Sequence, residues 1–183
     1  MRELALHILD IVQNSVAAGA TNVTITVDEQ TESDRLAFSI TDDGRGMDQE
    51  TITKVTDPFY TTRTTRRVGL GLPMLKQTST SCNGNFFIDS VVGAGTTVTA
   101  IYQWTHIDRP PLGDMVSTML VVLLGNEEIN IGYRHKKDRL SFSFESREMK
   151  EVLDGLPFQN PDVYQWLKEF LTDGEGSLEG KSL

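Results

Sequence analysis

Asp10 and Asn14 stand four residues apart in the opening segment MRELALHILDIVQNS, so a helix there would carry a carboxylate and an amide on one face. Burying such a pair is costly unless something polar lies between them. A magnesium ion with its waters would suit these hard oxygen donors. Further along, ITDDGRGM puts Asp42 at the end of a strand, followed by Gly44 and Gly46. A carboxylate so placed can accept a hydrogen bond from an exocyclic amine such as that of adenine, and the glycines let the backbone approach a flat base closely. The segment DPFYTTRTTRRVGLGLPML then gathers Thr62, Arg63, Arg66, Arg67, Gly69, Leu70 and Gly71 ahead of a helix. Free N–H groups at a helix start, with arginine cations beside them, favour phosphate. The threonine- and arginine-rich stretch reads as a lid over a triphosphate. Last, VVGAGTTVTAIY bends at Gly93 and Gly95 and offers the Thr96 hydroxyl at a strand start. Taken singly, these are an exposed helix face, a loop between strand and helix, a solvated basic loop and a glycine hairpin. Their weight lies in occurring together.

The elements that must position them follow from periodicity. Leu4, Ile8, Ile11, Val12 and Ser15 give a helix over 2–18 with one apolar stripe, stopped near Gly19. Asn22 to Asp28 and Leu36 to Thr41 alternate as the strands of a hairpin, and Phe86 to Ser90 with Thr97 to Trp104 give two more. Gln49 to Val55 and Leu70 to Ser81 read as helices, and Asp57 to Val68 as a loop. The adjacent prolines of IDRPPLGD mark a rigid connector. Beyond it the pattern is a buried helix (Asp114 to Leu124), a hairpin across HKKD, and two helices, Arg147 to Leu153 and Asp162 to Leu171. The expected units are residues 1–107, an extension over 108–173, and a disordered tail over 174–183, rich in glycine, serine and charge.

With order and spacing in view, the four segments resemble the N, G1, F/G2 and G3 boxes of the GHKL ATPase superfamily. LDIVQNSVAAGAT is similar to the N box of MutL-type proteins, DPFYTT with VGLGLPMLK to the F and G2 boxes of sensor histidine kinases, and GAGTTVTA to their last box. The resemblance covers about residues 1–104. It implies a Bergerat fold of class α+β: a two-layer α/β sandwich with a mixed, mainly antiparallel sheet and helices on one face, plus a small α+β C-terminal extension. It also implies ATP and Mg2+ as cofactors, with Asn14 on the metal, Asp42 on the adenine amine, Gly46 lining the base site and Thr96 helping to close it. Gly69 and Gly71 would lie under the phosphates. Asp10 stands where gyrase, MutL and anti-sigma kinases carry a glutamate that activates water or a hydroxyl, and it is one methylene shorter.

Composition narrows the partners. The chain of 183 residues has a formal charge of −9 and a pI near 4.8, which repels phosphate backbones and anionic lipid, so neither nucleic acid nor membrane is an expected partner. A single cysteine, Cys82, and an N-terminus unlike a signal peptide suit the cytoplasm. The function expected is that of a regulatory protein kinase acting on a partner protein in trans. The alternatives are an ATPase or ATP-gated switch, or a non-catalytic ATP-binding adaptor. A homodimer is left open. His7, near the same helix face as Asp10 and Asn14, reads as a pocket-edge or packing residue rather than a phospho-acceptor. His106 and His135 have no constellation around them.

Overall fold

The first strand, β1 (Asn22–Gln30), sends Val23, Ile25 and Val27 into the core and Thr24, Thr26 and Asp28 to the opposite face. β2 (Arg35–Asp42) repeats the alternation with Leu36, Phe38 and Ile40. The computed structural model describes residues 3–57 and 71–180. Among these, the strands build one six-stranded sheet in the order β3-β4-β2-β1-β5-β6, where β3 is Asn85–Val91, β4 Gly95–Gln103, β5 Asn130–Lys137 and β6 Leu140–Glu145. Neighbours pair antiparallel except β1 and β5, which run parallel. α1 (Leu4–Ala17), α3 (Gly71–Ser81), α4 (Met115–Gly125) and α6 (Pro161–Ser177) cover the apolar face, with short helices α2 (Gln49–Val55) and α5 (Ser146–Val152) at its margins. This is the α+β sandwich expected, mixed and mainly antiparallel. No helix among the described residues is long and apolar enough to cross a membrane.

The extension completes the same sheet and the same core. Met115, Met119, Leu120 and Leu123 of α4 are buried beside Leu4, Ile8 and Tyr133. The proline connector is structural: Pro111 and Leu112 accept hydrogen bonds from the backbone N–H groups of Leu4 and Ala5 (2.9 and 2.8 Å), capping the exposed donors at the start of α1. Arg109 stiffens the connector, bonding the Trp104 carbonyl at 2.7 Å and lying 4.8 Å over the indole ring. On α6, Leu167 is wholly buried, whereas Tyr164 and Trp166 stay 39% and 38% exposed.

Two expectations are corrected. The segment from Gly174 is ordered through residue 180: α6 continues to Ser177, Leu178 is buried, and a Cβ at Gly174 would meet the Phe142 ring at 2.2 Å. Close packing, not flexibility, explains that glycine. His135 in turn has a constellation after all. Its Nε2 meets Glu29 of β1 at 2.9 Å and its Nδ1 meets Glu175 of α6 at 2.9 Å, while the Tyr133 hydroxyl donates to Glu175 at 2.7 Å.

Burial alone would depress the His135 pKa, but the hydrogen bonds and charges of Glu175 and Glu29 outweigh it and raise it from 6.5 to about 9. A raised folded-state value means that the contribution is complete below the unfolded value of 6.5 and is lost as the pH climbs through about 9. Urea midpoints should therefore fall between pH 6.5 and 9.5 in the wild type. A His135→Leu variant should lack that part of the fall and should be less stable at pH 6.5 by roughly 2–4 kcal/mol, because it leaves the buried Glu29 and the half-buried Glu175 without their cation.

Candidate functional site

The apolar face of α1 fixes where its polar stripe lies. With Ile8, Ile11 and Val12 buried against the sheet and α4, Asp10 and Asn14 are half-buried on the flank that faces α3. α3 begins at Gly71, and a Cβ there would fall 1.7 Å from Oδ2 of Asp10. Only a glycine admits the carboxylate so close to the backbone of α3. Asp10 and Gly71 therefore meet, with Asn14 one turn further along α1.

Asp42 ends β2 on the core-facing side, opposite Val23 and Thr96. Its Oδ2 accepts from the Ser15 hydroxyl of α1 at 2.6 Å and its Oδ1 from the Gly44 N–H at 2.9 Å. Each oxygen keeps a further lone pair for a ligand amine. The neighbouring carboxylate, Asp43, points elsewhere. It takes the N–H groups of Thr21 and Asn22 on one oxygen and their side chains on the other, all within 2.7–2.9 Å. These donors, the Asn22 side chain foremost, hold its carboxyl well below the usual range. Asp43 thus pins the start of β1, and Asp42 is left to the pocket.

The loop after Asp42 is held on both sides. The Arg45 N–H donates to the carbonyl of Ala18 at 3.0 Å, and the Gly93 N–H to the carbonyl of Arg45 at 2.8 Å. Gly46 has φ +64°, and a Cβ on it would lie 2.0 Å from the Val91 carbonyl. Ser90 is the local staple: its hydroxyl accepts from the Met47 N–H at 2.8 Å, donates to the Gly95 carbonyl at 3.0 Å and lies 2.8 Å from the Thr96 hydroxyl. From sequence Ser15 entered only as part of the helix stripe and Ser90 only as a strand end, neither as a site residue. Single serines carry no spacing signal, and only the register reveals them. Thr62, Arg63, Arg66, Arg67, Gly69 and Leu70 lie outside the described residues. His7 is buried on α1, at 1% exposure.

These groups fit a nucleotide with a divalent cation. The anchored carboxylate of Asp42 could take an amine, and the Asp10 carboxylate beside α3, with the Asn14 amide one turn along α1, offers oxygen donors for a cation.

Residues 2–105 match the family described as histidine kinase-, DNA gyrase B- and HSP90-like ATPase, and the chain belongs to that family. It carries an ATP-binding domain of the histidine kinase type. Sensor histidine kinase WalK of Bacillus subtilis is 35% identical over 83 residues, 43% of this chain and 14% of that kinase. Sporulation kinase C of the same organism is 28% identical over 88 residues, 48% of this chain and 20% of its own length. The chain thus spans a fifth or less of these kinases. Among solved structures, the Aquifex aeolicus MutL ATPase domain complexed with ADP superposes with a TM-score of 0.52 at 16% identity, covering 94% of this chain and 88% of that one. The likeness to it is one of fold.

Gly46→Ala should lower stability by about 2–4 kcal/mol, combining a left-handed backbone with a clash against a carbonyl. Chemical denaturation measures it. A loss under 0.5 kcal/mol would show that the loop relaxes freely.

Proposed function

We propose that this chain binds ATP with Mg2+ and transfers the terminal phosphoryl group to a hydroxyl or imidazole on a regulatory partner protein. The observation that carries the reading is the close approach of the Asp10 carboxylate to the first residue of α3, one helical turn from Asn14. In this reading Asp42 accepts from the adenine amine, and Ser15 and Gly44 hold its carboxylate in place. Gly46 lines the base, and Thr96, fixed by Ser90, closes the site. Gly69 and Gly71 present backbone to the phosphates, with Thr62, Arg63, Arg66, Arg67 and Leu70 completing the lid. Asn14 would hold the Mg2+, which when bound would supply positive charge to the phosphates. Asp10 accepts the proton of the attacking group.

We assign the nucleotide site to residues 1–107. The extension from residue 108 supplies none of the proposed nucleotide contacts, so it is the part available to carry partner specificity. We place the reaction in the cytoplasm, where ATP is supplied and a buried lone thiol such as Cys82 stays reduced. An ATP-gated switch would use the same residues with water as acceptor.

Calorimetry with ATP, with and without Mg2+, tests binding, and γ-labelled ATP with a cell extract tests transfer. Asp42→Asn should weaken ATP binding by at least tenfold, since an amide nitrogen replaces an acceptor. Asp10→Asn should keep ATP affinity within about threefold and lose turnover by a factor on the order of 10²–10⁴. Label on a second protein supports the kinase, and free phosphate alone supports the switch. Wild-type protein that gives no heat with ATP and Mg2+ overturns both.

A further inference from the structure

Among the described residues, His7 is the only side chain that buries a whole polar group with no hydrogen-bond partner. Both Nδ1 and Nε2 are unpaired, and the residue is 1% exposed. The other unpaired buried atom, Oδ1 of Asp28, belongs to a carboxylate whose second oxygen bonds Arg35 and Gln30. Burial depresses the His7 pKa from 6.5 to about 4, so the ring is neutral near pH 7 and offers one N–H donor and one lone pair. An unpaired buried polar group is destabilising, and a leucine would fill such a space without that penalty. A ring kept here without a protein partner has its bonding capacity reserved for something outside the chain.

Helical arithmetic says what that is. His7 lies three residues before Asp10 and seven before Asn14, about 60° and 20° away around the axis and roughly 4.5 and 10.5 Å along it. Imidazole, carboxylate and amide therefore form one stripe along α1, with Asp10 in the middle against the start of α3. On the nucleotide reading, on which this step rests, Asn14 marks the metal and Asp10 the terminal phosphate. One turn further is the side from which an acceptor approaches, opposite the leaving group.

We propose that His7 hydrogen-bonds the oxygen that attacks the terminal phosphate, forming with Asp10 the acceptor subsite for a hydroxyl or water. A bond forms between that oxygen and the terminal phosphorus, and the bond from phosphorus to the bridging oxygen breaks. ADP leaves with the electron pair, the acceptor's proton passes to Asp10, and His7 holds the oxygen in line without changing its own protonation. Both ring nitrogens are closed to solvent in the described structure, so the ring must turn outward toward Asp10 for the acceptor oxygen to reach it.

The chain has three histidines, at positions 7, 106 and 135, so the nitrogen-15 imidazole spectrum of the full chain is assignable. With a non-hydrolysable ATP analogue and Mg2+, the unprotonated His7 nitrogen should move in the direction of an accepted hydrogen bond, and with adenosine alone it should stay. In parallel, His7→Leu should be as stable in urea as wild type or more so. It should keep KM for ATP within about twofold and release phosphate at least tenfold more slowly. His7→Gln, which restores a donor and an acceptor, should recover part of the rate. A His7 signal unmoved by analogue and Mg2+, while calorimetry shows that they bind, overturns the subsite and leaves the nucleotide reading intact. Label from γ-labelled ATP retained on the chain and lost in His7→Leu makes the ring the acceptor itself and also overturns the positioning role. Absence of analogue binding overturns the nucleotide reading and this one with it.

Discussion

The 2.6 Å hydrogen bond from Ser15 to Asp42 is where the core and the site become one structure. Ser15 sits in the buried stripe of α1 with Ile8, Ile11 and Val12, so its hydroxyl must find a partner or destabilise the fold. The partner is the carboxylate at the end of β2. Turning α1 by one residue would rotate it by about 100°, driving Asp10 toward the core and withdrawing Ser15 from Asp42. The register of the helix is therefore set by apolar burial, and the polar stripe that faces α3 inherits its position from that packing. Positioning chemistry on a helix whose other face is core is what makes it reproducible.

The end of β2 shows how two adjacent identical residues acquire opposite duties. Strand alternation sends Asp42 to the helix side and Asp43 to the other. Asp43 is saturated by four donors from Thr21 and Asn22, and it fixes the point where β1 leaves α1. Asp42 is bonded once on each oxygen within the described structure, enough to orient it and not enough to exhaust it. The loop that follows takes a left-handed turn at Gly46, which glycine adopts without strain and a side chain would not, and it is braced by Ser90 and the Ala18 carbonyl.

Most elements were legible in the sequence because their signals are local. The apolar period of α1 and the alternation of β1 and β2 act within a few residues. Each expected helix and strand outside 58–70 is present, with ends shifted by a residue or two at most positions. The sheet order was not legible. That β5 lies parallel to β1 depends on burying Ile131 and Tyr133 beside Val23 and Ile25, a match between segments over a hundred residues apart. The same distance hid His135, whose partners lie 106 and 40 residues away. Composition misled at Gly174 for a related reason: glycine and serine suggest disorder unless one knows that an aromatic ring packs on the chain. In the site, the spacing of Asp10 and Asn14 and the DDGRG turn were visible, but the serines that hold the pocket together were not.

Two buried histidines in one fold bring out the contrast between holding a structure and leaving something undone. His135 spends both nitrogens on Glu29 and Glu175, tying β1 and α6 to β5, and its charge is stabilised there. His7 lies under comparable burial with no partner on either nitrogen, and its charge is suppressed. Desolvation acts on both rings in the same direction, and what separates them is whether the chain supplies carboxylates. Among the described residues, the chain satisfies the buried groups that join its elements, at Ser15, Ser146 and His135. It leaves a complete imidazole unsatisfied on the helix face that carries Asp10. Local energetic inconsistency of that kind is concentrated where a fold has a purpose besides its own stability.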